Sequence, residues 1–557
     1  MVDELKIFCK NTGEYIPVDG GDTLEQVFAT LKNRLPMTPM CALVNNKTED
    51  LRFQLFRPKV VEYVDMSSPF GYGAYLRSLC MVLYKAIVDL YPGKRLRIEH
   101  SIAGGYYCRI KHDDDGMRPD EVAALKQRMR EIVDADITFR CRERLTDDVI
   151  EMFRQQGCND KVRLLETYGE LYTTYYKLDN IIDSYYGPLV PRTGMLQVFD
   201  LVPYKDGMLL LAPDRNDPSR VAEQKPMEKM YEAFQRYTRF NDIINLDDVG
   251  TLNKTIRDRE ASMLINVAEA LHDKMLSSIA DDITRRYHEQ GTRVVLIAGP
   301  SSSGKTTTCK RLAIQLVTNY IIPKMISLDN YFVNRENNPR DESGDYDYES
   351  LYALDLKQLN DDLQNLIAGK EVAMPTYNFE AGQREYRGDT LQLGENDILI
   401  LEGIHGLNPD LTPLIPENQK YRVYVSALTT LSIDDHNWVA TSDNRLLRRI
   451  VRDNQYRGAS AQATIARWPS VRRGEEKWIF PFQENADATF NSSLLFELSV
   501  IKSHVEPLLK RIPANVPEHA EASRLLRFLR YFDALEAADI PSTSLLREFL
   551  GGSSFRY

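Results

Sequence analysis

Apolar residues in this chain recur in two rhythms. In TLEQVFATLKNRL, Leu24, Val27, Phe28 and Leu31 stand at i, i+3, i+4 and i+7, which predicts an amphipathic helix with Thr23 as its N-cap. LKIFCK before it and ALVNN after it read as strands flanking the turn-rich NTGEYIPVDGG, so residues 1 to 62 predict a small α+β unit. PDEVAALKQRMREIV, KMYEAFQRYTRF and ASMLINVAEALHDKMLSSIADDITRRYHEQ keep helical spacing with charges between, and Asp247–Gly250 reads as a turn. From 294 onward the rhythm changes to short apolar runs, Val294–Ala298, MISL and ILIL, each followed by glycine or a carboxylate. Together these patterns predict a multidomain α/β chain, with a C-terminal parallel sheet flanked by helices behind N-terminal α+β domains.

Bulk composition narrows the setting. At 557 residues the chain exceeds one core, and a prior of about 150 residues per domain gives about three or four units. A formal charge of −11 with 27% charged residues provides no global basic field for nucleic acid or lipid, so any RNA contact has to be local. The cysteines at 9, 41, 80, 108, 141, 158 and 309 include no CxxC pair, which argues against a disulfide framework or zinc knuckle and for a reducing compartment. MVDELKIFCK has no apolar signal core, and no apolar run reaches membrane-spanning length, so a cytoplasmic protein without membrane association is expected. His100 and His112 read as structural or solvated, and the tail GGSSFRY as frayed.

The chemistry concentrates at GPSSSGKT, residues 299–306, which matches G-x-x-x-x-G-K-[ST] directly after the run Val294–Ala298. A strand breaking into such a turn and restarting as a helix aims backbone N–H groups and a positive helix end at one small volume suited to triphosphate oxygens. Gly299 and Gly304 permit the turn, Ser301, Ser302, Ser303 and Thr307 add donors, Lys305 reaches the β/γ-phosphates, and Thr306 has the hydroxyl expected on Mg²⁺. These residues are the candidate ATP site.

Four later segments narrow the reaction. MISLDNYF ends an apolar strand in Asp329, where a carboxylate is placed to deprotonate an acceptor hydroxyl or hold Mg²⁺. GDYDYESLYALD and MPTYNFEAGQR read as acceptor-pocket loops, with Asp347 able to bind a vicinal diol and Tyr377 and Phe379 offering faces to a planar base. DILILEGIHGLNP ends a strand in Glu402, a Walker-B-type carboxylate near the metal. In RLLRRIVRD, Arg445, Arg448, Arg449 and Arg452 share one helix face, a basic stripe able to close over a triphosphate.

With these residues in view, residues from about 290 to 500 resemble the uridine kinase and phosphoribulokinase family. SLDNYF is similar to its D-x-F-Y segment, YDY to F-D-H, PTYNFEAGQR to P-x-Y-D-F-x-x-H-x-R, ILEGIHGL to F-E-G-I, and RLLRRIVRD to R-L-x-R-R-x-x-R-D. The resemblance implies Asp329 as base, Asp347 on ribose hydroxyls, Tyr377 and Arg384 in the acceptor pocket, and Arg445, Arg448 and Arg449 in the lid. Two departures remove polar handles: Phe332 replaces Tyr, and Gly382 replaces the base-contacting His, which puts pyrimidine preference in doubt. The insertion TTLSIDDHNWVATSDN before Arg445 brings His436, a candidate replacement contact to the acceptor.

The front of the chain resembles threonyl-tRNA synthetases: residues 1–62 their ubiquitin-like TGS domain, residues 63–225 their editing domain. That family's editing site uses an HxxxH pair and a D-x-C-x-G-P-H segment. Here the pair is missing, and Asp183-Ser184-Tyr185-Tyr186-Gly187-Pro188-Leu189 puts Tyr185 and Leu189 in the Cys and His positions, which argues against hydrolytic editing. Residues 226–288 are expected to be a helical connector, 289–515 the phosphate-loop domain and 516–557 a helical tail. The combined expectation is a kinase using ATP and Mg²⁺ on a primary hydroxyl, with a nucleoside as first candidate. Another polyol or a sugar phosphate is the alternative acceptor, an RNA- or ribosome-associated nucleotide switch the alternative function, and tRNA contact by the front domains and homo-oligomerisation stay open.

Overall fold

The computed structural model describes residues 5–111, 116–340, 344 and 346–556; His112 lies outside them. At the front, strands Lys6–Cys9, Glu14–Pro17, Cys41–Val44, Lys47–Glu49 and Val60–Val64 form one sheet, and helix Leu24–Leu31 packs against it. The helix buries the four apolar residues its spacing marks, against Ile7, Val61 and Tyr63. Thr23 and Gln26 cap it reciprocally, each side chain accepting from the other's backbone N–H.

Next come the long helix Pro69–Leu90, helix Pro119–Asp134 and two antiparallel sheets, one of four strands and one of three. Their shared core includes Leu79, Ile87, Ile98, Leu125 and Phe153. His100 is buried there, its ring stacked on Phe234 at 3.5 Å, and burial lowers its pKa to about 4, which fits a structural role.

The C-terminal sheet is wholly parallel, with Ile322–Ser327, Asp397–Glu402, Val294–Ala298, Lys420–Ser426 and Ala488–Asn491 as successive neighbours. Val294–Ala298 is buried throughout, as a central strand covered on both faces must be. Helix Ala261–Gln290, expected within a connector, instead walls this sheet: Leu276, Ile279 and Ile283 pack on Val295 and Ile297. Asp247–Gly250, expected as a turn, begins a helix, because the Asp248 carboxylate accepts from the Thr251 N–H and caps Val249–Arg257. The tail expected to fray is tied down, with the Ser554 N–H donating to the Ser542 carbonyl at 3.0 Å.

The insertion that precedes the arginine-rich helix does not go where its sequence suggested. Ser432–Asp434 and Asn437–Trp438 form a small hairpin that enters the former editing region. His436 Nδ1 lies 2.8 Å from Asp183 Oδ2, and its ring packs on Tyr84. His436 is therefore an interdomain contact, and its place as an acceptor-pocket residue is withdrawn. Lys161 Nζ completes the cluster, 2.8 Å from Asp183 and 2.9 Å from Asp434, while the Tyr185 hydroxyl donates to Asp183 at 2.7 Å. Burial would raise the Asp183 carboxyl, but Lys161 and His436 outweigh it and hold it below the usual carboxylate range. Tyr185, standing where the resembled family has its Cys, thus serves a buried structural anion.

Removing one partner from such a cluster leaves the other charges desolvated and unpaired. Asp183→Asn is expected to cost about 3–5 kcal/mol, read as a lowered urea midpoint by far-UV circular dichroism; an unchanged midpoint would contradict this account.

Candidate active site

The phosphate-loop residues close a cradle at the C-terminal edge of the parallel sheet. Gly299 leaves no room for a side chain, since a Cβ there would stand 2.0 Å from the Val425 carbonyl oxygen. Ser302 and Gly304 hold left-handed backbone, φ 59° and 83°, which turns the chain tightly before helix Lys305–Thr318. Lys305 folds back, Nζ donating to the Pro300 carbonyl at 3.3 Å. The Ser302 and Ser303 hydroxyls are buried without a partner, an arrangement suited to the oxygens of an anionic ligand.

Two carboxylates face the cradle from neighbouring strands. Glu402 ends its strand beside Ile297 on one side and Ser327 on the other, and its carboxylate accepts from the Thr306 side chain. Burial, with the charges of Asp329 and Glu548, raises its pKa to about 7 despite Lys305 and Thr306. Asp329 lies in the single turn Leu328–Tyr331, just beyond its strand. It is open to solvent in the cleft yet ringed by protein, and that crowding raises its pKa against the pull of Lys305 and Arg457. Thr306 and Glu402 are hard oxygen donors of the kind Mg²⁺ prefers. Among the described residues no cluster of three or more His, Cys, Asp or Glu side chains forms a metal cage, consistent with an ion that shares its ligands with a substrate.

Helix Thr441–Arg457 brings its arginines to the loop, but not as a free stripe. Arg445 donates to the Ser301 carbonyl at 3.0 Å and forms a two-pronged pair with Glu475; Arg448 reaches the Ser302 carbonyl and pairs with Glu497 at 2.6 Å. Both guanidinium groups are at most 1% exposed. The expected lid therefore divides, with Arg445 and Arg448 buttressing the loop from beneath and Arg449 donating to the Ser301 hydroxyl at 2.7 Å. Arg452 turns aside to Asp453.

On the acceptor side, MPTYNFEAGQR forms a hairpin, not the loop expected. Strands Val372–Asn378 and Gln383–Leu391 pair Tyr377 directly with Arg384. Tyr377 packs against Phe332 and Phe379, ring centroids 5.6 and 5.1 Å away, so apolar contacts surround the position where Phe332 removed a hydroxyl. Arg384 is committed to Asp355 at 2.9 Å, and Asp347 lies half-buried nearby in sequence, its N–H bonded to the Pro339 carbonyl. Gly382 has φ 68°, and a Cβ there would meet the Arg335 side chain at 2.8 Å. Arg335 thus takes the space beside Gly382, its guanidinium donating to the Phe379 carbonyl at 2.6 Å.

Sequence reasoning missed five of these side chains: Glu475, Glu497, Glu548, Glu349 and Arg335. None belongs to the motifs, although Glu349 stands only two residues beyond Asp347. Burial and the neighbouring Glu475 raise the Glu349 pKa to about 7 against Arg449 and Lys305, which places a titrating carboxylate at the cleft.

Comparison with known proteins follows the same division. The family described as Phosphoribulokinase / Uridine kinase family matches residues 294–495. A uridine kinase of Brevibacillus brevis is 30% identical over 192 residues, 34% of this chain and 80% of that protein. Uridine-cytidine kinase B of Dictyostelium discoideum is 26% identical over 201 residues, 36% of this chain and 74% of that protein. A threonine–tRNA ligase of Syntrophotalea carbinolica is 26% identical over 176 residues, which is 31% of this chain but only 28% of the ligase's length.

Because Arg448 and Glu497 are both desolvated, losing one strands the other. Arg448→Ala is expected to destabilise the protein by about 3–5 kcal/mol, seen as a lower denaturant midpoint. Arg448→Ala combined with Glu497→Ala should cost less than the sum of the two single changes; full additivity in that double-mutant cycle would refute the pairing.

Proposed function

The chain belongs to the Phosphoribulokinase / Uridine kinase family, and from that premise we propose that it is an ATP-dependent kinase transferring the γ-phosphoryl group to a primary hydroxyl of a small molecule, with a nucleoside as first candidate. The observation that carries this reading is the convergence of the amide cradle, Lys305, Glu402 and Asp329 on one end of the parallel sheet.

In this reading the loop amides and Lys305 hold the polyphosphate, and the Ser302 and Ser303 hydroxyls supply further donors. Mg²⁺ at Thr306 and Glu402 would neutralise phosphate charge when bound. Asp329 takes the proton from the acceptor hydroxyl as its oxygen bonds to the γ-phosphorus, and the bond from that phosphorus to the β-bridging oxygen breaks, releasing ADP. A carboxylate with raised pKa suits this role near neutral pH. Arg449 is the lid arginine that touches a loop side chain, and it is assigned to charge that develops on the transferring group.

Arg335 favours a second acceptor class. A cation beside Gly382, where the resembled kinases use a neutral base contact, suits an anionic acceptor such as a sugar phosphate.

Three measurements test the reading. Lys305→Ala and Asp329→Asn, each shown to be folded, should lower kcat by about 10²-fold or more; wild-type turnover in both would exclude the mechanism. Glu402, with a pKa of about 7, must be ionised to hold a cation, so kcat/KM should fall as pH drops below about 7; a limb near pH 4 would disagree. Across a panel of nucleosides and sugar phosphates, Arg335→Ala should raise KM for anionic acceptors and spare neutral ones, and equal effects on both would remove the second class.

A further inference from the structure

The C-terminal segment reaches back to the phosphate cradle. Leu545 and Phe549 are fully buried and belong to the same core as Val295, Ile297 and Val425. Leu545 lies against the α-carbon of Gly304, so close that a Cβ there would sit 2.7 Å from it. One short turn later, Glu548 Oε2 accepts from the Thr307 hydroxyl at 2.6 Å and from the Thr307 N–H at 3.2 Å. Thr307 is in the first turn of the helix that leaves the loop, so its N–H is one of the orphan donors such a helix offers to an anion. On the opposite side of the loop, Glu475 Oε1 accepts from the Ser301 N–H at 3.1 Å. Glu475 is spoken for by Arg445 and Arg472, whereas no described ion pair balances Glu548.

A carboxylate and a polyphosphate cannot use the same two donors, and their like charges repel most strongly in a partly desolvated cleft. We propose that Glu548 is an anionic latch: it occupies the Thr307 donors when nucleotide is absent and must swing out for triphosphate to seat, so the C-terminal segment sets nucleotide affinity. The proposal rests on the cradle binding nucleotide, and adds a regulation of that same site. Leu545 and Phe549 keep the segment anchored, so the motion is confined to the turn that carries Glu548. That turn is also coupled to the arginine helix. The Arg448 guanidinium lies 5.1 Å from the Phe549 ring centre, and the Gln455 amide, oriented to satisfy its hydrogen bonds, donates to the Phe549 and Leu550 carbonyls. Movement of the helix that carries Arg449 therefore pulls on the latch.

If the latch is closed nine-tenths of the time, apparent affinity is about tenfold weaker than the open site's. Calorimetric titration of the full chain with Mg·ATP should accordingly give a Kd about tenfold lower for Glu548→Gln than for wild type. In wild type, amide exchange of residues 545–551 should rise when Mg·ATP is added, a readout that needs no variant. Equal or weaker binding by Glu548→Gln, or exchange unchanged by nucleotide, overturns the latch while leaving the kinase reading intact. Absence of ATP binding in both proteins overturns the two together.

Discussion

The site depends on a loop that could not hold its shape alone. Left-handed backbone at Ser302 and Gly304 and two buried serine hydroxyls are each unfavourable without support. Support comes from below, where Arg445 and Arg448 bind the Ser301 and Ser302 carbonyls while Glu475 and Glu497 neutralise them. Buried ion pairs of this kind add little net stability, because desolvation offsets attraction. Their consequence is geometric: with both partners fixed, the loop carbonyls turn toward the guanidinium groups and the loop amides toward the cleft.

The same helix is held at its other end by the front of the molecule. The Lys161, Asp183 and His436 cluster fixes the hairpin that leads into it, and Arg524 pairs with Asp443 in its first turn at 2.8 Å. The front domains resemble regions of threonyl-tRNA synthetases, yet the position that would carry a thiol there is a buried tyrosine serving an interdomain anion. A pocket that loses its reactive groups can be filled by the neighbouring domain, and here the filling hairpin becomes the mount for the phosphate-binding machinery.

How much of this was legible in the sequence follows from how far apart the cooperating residues lie. The phosphate loop was readable because all its determinants fall within Gly299–Thr307, and Glu402 because an apolar run ends on it. The helix from Leu24 to Leu31 was readable from spacing and cap alone. The arginines of 445–449 were correctly grouped on one helix, but their partners were invisible, since Glu475 and Glu497 stand 30 and 49 residues away and match no motif. His436 was assigned to the acceptor because it follows the acceptor segments in the chain; its actual partner is 253 residues distant. Periodicity also treated the helix Ala261–Gln290 as a bridge, because amphipathicity shows that a face is buried without showing against what.

These placements share one logic, in which distant parts of the chain compete for or stabilise the same few backbone donors. Arginines take the loop carbonyls, Glu475 takes the Ser301 amide, and Glu548 takes the Thr307 amide and hydroxyl. A cradle built for anions will recruit carboxylates from its own chain when they are within reach, since a bare helix N-terminus is unsatisfied. The two recruits differ in what holds them. Glu475 is locked by Arg445 and Arg472 and is part of the frame, whereas Glu548 raises the pKa of Glu402 and has no described cation to hold it in place. Of the two anions in the cradle, Glu548 is the one that a more highly charged ligand can displace.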